Sequence, residues 1–98
     1  MVHQFMVDCT LPNDIPEELI RLLPIQQEVL GKYMTEGKLI HYALSLENSK
    51  LWAIVNANSE IEVFEMMLHF PLAKFIQFEV SLLNAYAYQQ APAIFSLN

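Results

Sequence analysis

The chain opens with a strict alternation of side chains over residues 2–11, the period of a β-strand with two different faces. One side of this segment is apolar and carries Phe5, Val7 and Cys9. The other side is mixed, and its members are Gln4, Met6, Asp8 and Thr10. The pattern predicts a first strand with one face buried in the core. Its other face contacts water, a ligand or another subunit.

A helical period replaces the alternation between residues 17 and 36. Positions three or four apart form a single stripe: Leu19, Leu22, Leu23, Gln26, Leu30 and Tyr33. Asp14 and Glu17 have the spacing of a capping box at the start of this helix, and Gly37 suits its C-terminal end. Pro24 lies inside the pattern, where its ring and missing N–H predict a kink or a break.

Two short apolar segments follow at residues 39–46 and 51–57, and the four residues 47–50 between them indicate a β-hairpin. Ser59 and Glu62 then form a second capping box, which predicts a short helix. The predicted buried stripe of that helix is Ile61, Phe64, Met67 and Leu68.

Residues 74–83 alternate again and predict a last strand. Its more apolar row is Ile76, Phe78, Val80 and Leu82, and its opposite row is Phe75, Gln77, Glu79 and Ser81. The order of elements is β-α-β-β-α-β, which predicts an α+β fold of the ferredoxin-like kind over residues 1–84. Two helices then cover one face of a four-stranded antiparallel sheet, and the other face is left open.

Composition narrows the function classes. The chain has 98 residues, of which 54% are hydrophobic and 16% charged, a balance that favours self-association in so small a domain. Residues 85–98 carry no charged side chain, and we expect them to dock on a neighbouring subunit. A net charge of −6 with five basic residues argues against nucleic acid and anionic membranes as partners.

Several kinds of site lack their sequence signals. A single cysteine excludes an internal disulfide and a cysteine-based zinc site, and two glycines supply no phosphate-binding loop or dinucleotide fingerprint. We therefore expect no metal and no cofactor. No signal peptide or membrane-spanning run is present, which makes the cytoplasm the default location.

The open sheet face carries the candidate chemistry. In the ferredoxin-like strand order the last strand lies beside the first, so Asp8 and Glu79 are expected to be neighbours and could share a proton. His41 in the second strand is a further acid–base candidate. Gln4, Met6, Ser45, Phe75 and Gln77 would line a ligand site. A solvated face or a plain subunit interface explains the same pattern and stays an open alternative.

The sequence resembles the muconolactone isomerase family over residues 4–83. The resemblance rests on five short motifs in matching order and spacing: Leu11-Pro12, Glu36-Gly37, His41, Pro71-Leu72 and Glu79-Val80. It implies a ferredoxin-like domain that pairs through its sheets into a larger symmetric homo-oligomer. It also implies a cofactor-free site that shifts a proton within a small lactone bearing a carboxylate.

Four positions depart from the family pattern. Ile40 and Leu44 stand where the family has arginines, one immediately before the matched histidine and one three residues after it. Ala85 and Tyr86 stand where it has an Arg-His pair, which makes Tyr86 a candidate substrate contact. Because a substrate carboxylate needs a fixed cation, muconolactone itself is not the expected substrate.

Two hypotheses follow. In the first, the chain is a cofactor-independent isomerase or related proton-transfer enzyme. It acts on an uncharged or less acidic cyclic compound, with Glu79 or Asp8 as base and His41 as proton donor or orienting group. In the second, it is a non-catalytic binder of a small ligand or an assembly module. A relation to heme- and antibiotic-oxidising proteins of the same architecture is a third interpretation, by analogy of fold alone.

Overall fold

The computed structural model describes residues 2–85. The elements along the chain are β1 (His3–Thr10), α1 (Glu17–Thr35), β2 (Leu39–Ser45), β3 (Lys50–Ala57), α2 (Glu60–Leu68), a 3-10 turn (Ala73–Phe75) and β4 (Gln77–Leu83). The expectations for Tyr86 and for docking of residues 85–98 fall on positions 86–98, which lie outside the described residues.

The four strands form one antiparallel sheet in the order β2-β3-β1-β4. This is the ferredoxin-like α+β arrangement that the sequence predicted, with both helices packed on one face. We call that side the covered face. The buried strand residues on this face are Phe5, Val7, Cys9, Leu51, Ala53 and Val55. They form one core with the buried helix residues Leu19, Leu30, Val63 and Met67. The first strand therefore buries the predicted side.

The beginning of α1 differs from the prediction. Residue Pro16 occupies the N-cap position with extended backbone, and no side chain caps the helix, so the capping box of Asp14 and Glu17 was wrong. The Pro16 carbonyl instead accepts the backbone N–H groups of Leu19 and Ile20 at 3.1 and 3.4 Å. Proline suits this place because its fixed φ matches the entry into a helix.

Residue Pro24 does not split α1, which runs unbroken from Glu17 to Thr35 with the proline exposed on its outer side. The helix ends as predicted at Gly37, whose φ of 76° is in the left-handed region that glycine adopts without strain. The N–H of Lys38 then reaches back to the Tyr33 carbonyl at 2.9 Å. This closing contact is the six-residue bond of a Schellman motif.

The capping box at the start of α2 is confirmed. The Ser59 hydroxyl accepts the Glu62 N–H at 3.2 Å, and the Glu62 carboxylate accepts the Asn58 N–H at 3.1 Å. The predicted buried stripe was wrong except at Met67, which is fully buried, because Ile61, Phe64 and Leu68 are 72%, 39% and 70% exposed.

The side of α2 that faces the sheet carries Val63, Met66 and Met67. Both stripes are apolar at helical spacing, so periodicity alone could not choose between them. The buried stripe continues into Phe70 and Leu72, which are also buried, and these contacts fix the rotation of the helix.

A β-bulge in β2 settles which of its residues face the helices. Leu39 pairs with Val55 and His41 pairs with Ile54, so Ile40 is the extra residue between two consecutive partners. Leu39 is consequently buried on the covered face, whereas Ile40 is only half-buried. His41 lies on the other face, as predicted.

No helix within residues 2–85 is both long enough and apolar enough to span a membrane.

Candidate functional site

The open face is the sheet surface opposite the helices. Strand pairing arranges its side chains in rows that run across the sheet. The first row is Ser45, Lys50, Thr10 and Gln77. The second is Ala43, Trp52, Asp8 and Glu79, and the third is His41, Ile54, Met6 and Ser81. Gln4 lies beyond the third row, between Asn56 and Leu83.

The two carboxylates of the open face are direct neighbours, because Asp8 pairs with Glu79 across β1 and β4. Their surroundings differ. Asp8 Oδ1 lies 2.5 Å from Lys50 Nζ, and the same ammonium donates to Thr10 Oγ1 at 3.3 Å. Among residues 2–85, no hydrogen bond or ion pair engages the Glu79 carboxylate. The predicted adjacency is confirmed, and of these two carboxylates only Asp8 is engaged by a cation within residues 2–85.

His41 does not join these carboxylates within one protomer. It lies on β2, at the sheet edge opposite β4, so three strand spacings separate it from Glu79. At roughly 4.8 Å per spacing the two backbones are about 14 Å apart, beyond any hydrogen bond. The structure thus brings Asp8 and Glu79 together and places His41 at the far edge of the sheet.

Two open depressions mark this face. An apolar one of about 140 Å³ is lined by seven residues of the sheet: Met6, His41, Tyr42, Ala43, Trp52, Ala53 and Ile54. A polar one of about 310 Å³ is lined by the Asp8–Lys50 pair and its neighbours, Thr10, Gln77, Phe78 and Glu79. The two lie side by side because Trp52 and Asp8 are partners across β1 and β3.

The other predicted contacts are placed as follows. Gln4 and Met6 are half-buried on the open face, and Gln77 is exposed at the start of β4. The Ser45 hydroxyl accepts the Asn48 side-chain amide at 3.1 Å, which ties it to the hairpin loop.

The predicted strand position of Phe75 was wrong, since β4 begins two residues later and Phe75 belongs to the 3-10 turn. Its ring packs against the buried core. Leu72 and Ala73 form turn hydrogen bonds to Phe75 and Ile76, so the chain cannot extend until after this point.

Sequence reasoning missed Lys50, Trp52 and Ile54 as members of the open face. A signal was available: once Leu51, Ala53 and Val55 are assigned to the buried row, the residues between them must point the other way. Lys50 had been assigned to the hairpin loop, which removed it from that count. The structure makes it the first residue of β3.

The titratable groups of the covered face are held in their neutral forms. Burial raises the pKa of the Cys9 thiol to about 12, and the nearby Asp8 charge adds to the rise. Burial also raises the pKa of Tyr42, an effect that its contact with the Gln26 side chain partly offsets. Cys9 is therefore the buried hydrophobe that its strand position predicted.

Within residues 2–85, no group of three or more His, Cys, Asp or Glu side chains is placed to hold a metal ion.

Comparison with known proteins shows a likeness of fold. No protein-family model matches the sequence, and no curated protein matches it significantly. A crystal structure of muconolactone isomerase, at 3.3 Å resolution, matches with a TM-score of 0.68 and 20% sequence identity. The match covers 88% of this chain and 93% of that chain. The chain thus has the muconolactone isomerase fold, which is what the sequence resemblance implied.

Proposed function

We propose that this chain is a cofactor-independent isomerase that moves a proton within a small, uncharged cyclic compound of the lactone type. The observation that carries the proposal is the second row of the open face. There the Glu79 carboxylate, unpaired within residues 2–85, adjoins Asp8 and Trp52. A carboxylate with no bound cation can accept a proton, and a neighbouring aromatic wall can hold a ring beside it.

Within this proposal Glu79 is the base and Asp8 is a positioning residue. The Asp8 carboxylate is already engaged by the Lys50 ammonium in an ion pair, so its charge is partly neutralised and it is less available to a proton than Glu79. Glu79 takes a proton from the carbon next to the carbonyl, the double bond shifts along the ring, and His41 donates a proton at its new end. One proton leaves and one returns, so the step needs no oxidant and no cofactor.

The distance between His41 and Glu79 requires a second protomer. Two sheets that face each other about a two-fold axis parallel to their strands place β2 of each protomer over β4 of the other. The base of one protomer then meets the histidine of its partner. The open face suits such pairing, because Trp52, Ile54 and Met6 form an apolar strip that, within residues 2–85, adjoins only three charged side chains.

The direct test is deuterium incorporation, followed by proton NMR, in muconolactone and a set of uncharged lactones dissolved in D₂O. We expect exchange at the carbon next to the carbonyl of an uncharged lactone and at least about a hundredfold loss in Glu79→Gln, since general base catalysis is worth that much. Glu65→Gln, an exposed carboxylate on α2, is the matched control and should exchange normally.

Mixing two inactive variants tests whether the site is shared. Random reassortment of Glu79→Gln with His41→Ala should restore about a quarter of the original sites, because half of the dimers then hold one intact pair. Exchange that never returns on mixing would place both groups in one protomer and contradict the pairing.

A non-catalytic role is the second candidate, and the Asp8–Lys50 ion pair favours it. A carboxylate that is held in an ion pair with a cation can position a ligand without taking part in proton transfer. Absence of exchange in every lactone, from a folded and paired protein, would favour this binding or assembly role over the isomerase.

A further inference from the structure

The open face carries a single permanent cation, and that cation is already matched. All five Lys and Arg residues of the chain fall within residues 2–85, and only Lys50 lies on this face. The other four lie on α1, on the segment before β2 and in the 3-10 turn: Arg21, Lys32, Lys38 and Lys74. Lys50 is in contact with Asp8, and Glu79 stands beside that pair.

The charges of the face therefore leave a surplus of negative charge next to the apolar depression. Among the Lys, Arg, Asp and Glu side chains of the face, Asp8 cancels Lys50 and Glu79 remains. The depression adjoins this group directly, because Trp52 lines it and pairs with Asp8 across the strands. A ligand that rests against Trp52 must place its polar groups within a few ångströms of these charges, a separation shorter than the Debye length at low ionic strength.

We infer that Asp8 is a specificity-determining residue: by neutralising Lys50 it makes the Trp52 depression accept uncharged cyclic compounds and reject those that bear a carboxylate. The inference rests on the proposed function for the lactone-type ligand. It adds that the Asp8–Lys50 ion pair selects ligands by their charge. Specificity of this kind comes from an unfavourable contact with the wrong ligand rather than an added contact with the right one.

The size of the depression agrees with this class of ligand. Its volume of about 140 Å³ is below the range of pockets that take drug-sized molecules, so it fits one or two small rings. Its lining includes a methionine, an isoleucine and an indole, and also the imidazole of His41. Nothing in this set offers a substrate carboxylate a pair of fixed donors, such as arginine supplies.

Trp52 also makes the test possible, because it is the only tryptophan of the chain and lies on this face. Its indole N–H gives one cross-peak in a ¹H–¹⁵N spectrum. Two probes of the same ring system are compared by titration: coumarin, an uncharged bicyclic lactone, and coumarin-3-carboxylate. Binding is measured in full-length protein at low ionic strength, and no turnover is needed.

For the unmodified protein we expect coumarin to bind at least about tenfold more tightly than its carboxylate, the effect of one unpaired charge at a partly exposed site. Asp8→Asn releases Lys50 from its partner and should bring this ratio to about one or invert it. Lys50→Met removes the cation and leaves both carboxylates, so the preference for the uncharged probe should grow by a further factor of about ten.

The control is Glu17→Gln, which removes an equal charge from an exposed ion pair with Arg21 on α1. It should leave the ratio unchanged, which separates a local effect from a change in net charge. Equal binding of both probes to the unmodified protein would overturn the inference, as would an Asp8→Asn variant with an unaltered ratio. If neither probe shifts the indole cross-peak, the depression does not take small rings and the inference fails.

The binding test can succeed or fail independently of the deuterium-exchange test of the proposed isomerase. Charge discrimination without deuterium exchange would support the specificity device on a non-catalytic binder. Deuterium exchange without charge discrimination would support the isomerase and refute the specificity role of Asp8.

Discussion

The two faces of the sheet are made of the same four strands and have opposite characters. On the covered face, strand residues such as Leu51 and Val7 are shielded completely by α1 and α2. On the open face, their sequence neighbours Lys50 and Trp52 remain partly exposed beside carboxylates. The difference shows that one face carries the packing that stabilises the domain, while the other has room for polar and charged groups.

The largest expected effect is the loss of packing on the covered face. Leu51→Ala removes a fully buried side chain and should lower the free energy of unfolding by about 2–5 kcal/mol, through lost transfer energy and the cavity left behind. Urea unfolding followed by circular dichroism measures this. Ser81→Ala, on the open face of β4, is the control and should change the value by less than about 0.5 kcal/mol. Comparable losses in both variants would mean that the open face is also buried in a core.

A smaller effect is expected from Gln26, a buried polar side chain among the apolar residues of the covered face. Gln26 Oε1 accepts the backbone N–H of Leu72 at 3.2 Å, and both residues are buried. Gln26→Met keeps the volume and leaves that N–H unpaired, so it should cost about 1–3 kcal/mol in the same urea experiment. An unchanged or higher stability would mean that burying the amide costs more than its hydrogen bond returns.

Cys9 tests the covered face through pH. Its folded pKa of about 12 exceeds the ordinary value of 9.0, so the unfolded chain loses this proton first as the pH rises. The stability that the neutral thiol provides is present below pH 9 and is lost between about pH 9 and 12, by at most about 1.4 kcal/mol per pH unit. Other groups also titrate in this range, so the measurement is the difference in urea unfolding between the chain and Cys9→Ala.

The two curves should diverge as the pH rises above 9, with Cys9→Ala the less pH-sensitive protein. Parallel curves would contradict the burial of this thiol. Alkylation by iodoacetamide at pH 8 is a second measurement. The folded protein should react far more slowly than the protein in urea, because the thiolate is the reactive form.

Segments whose apolar residues fall on a single side were predicted well. The alternation in residues 2–11 has a single apolar side, and the structure buries Phe5, Val7 and Cys9. The stripe of α1 is likewise unique, and Leu19, Gln26 and Leu30 are its buried members. The Ser59 cap and the Gly37 ending are local features, since each depends only on residues within one turn of the helix terminus.

Patterns with two solutions were not. α2 is apolar on two sides, and the burial of Phe70 and Leu72 further along the chain decides which side faces the sheet. The Ile40 bulge depends on how β2 pairs with β3, and the turn that removes Phe75 from β4 depends on hydrogen bonds within residues 72–76. The neighbours Asp8 and Glu79 followed from strand order, whereas the partnership of Asp8 with Lys50 required the register of β1 on β3.

The sequence by itself determined the order of elements, the ferredoxin-like fold and the side of the first strand that is buried. It could do so because each of these depends on the period of apolar residues along a single segment. Only the tertiary structure decided which charges meet on the open face, because that depends on the register between strands distant in sequence. It is that register which gives Lys50 to Asp8 and, among residues 2–85, leaves Glu79 without a cation.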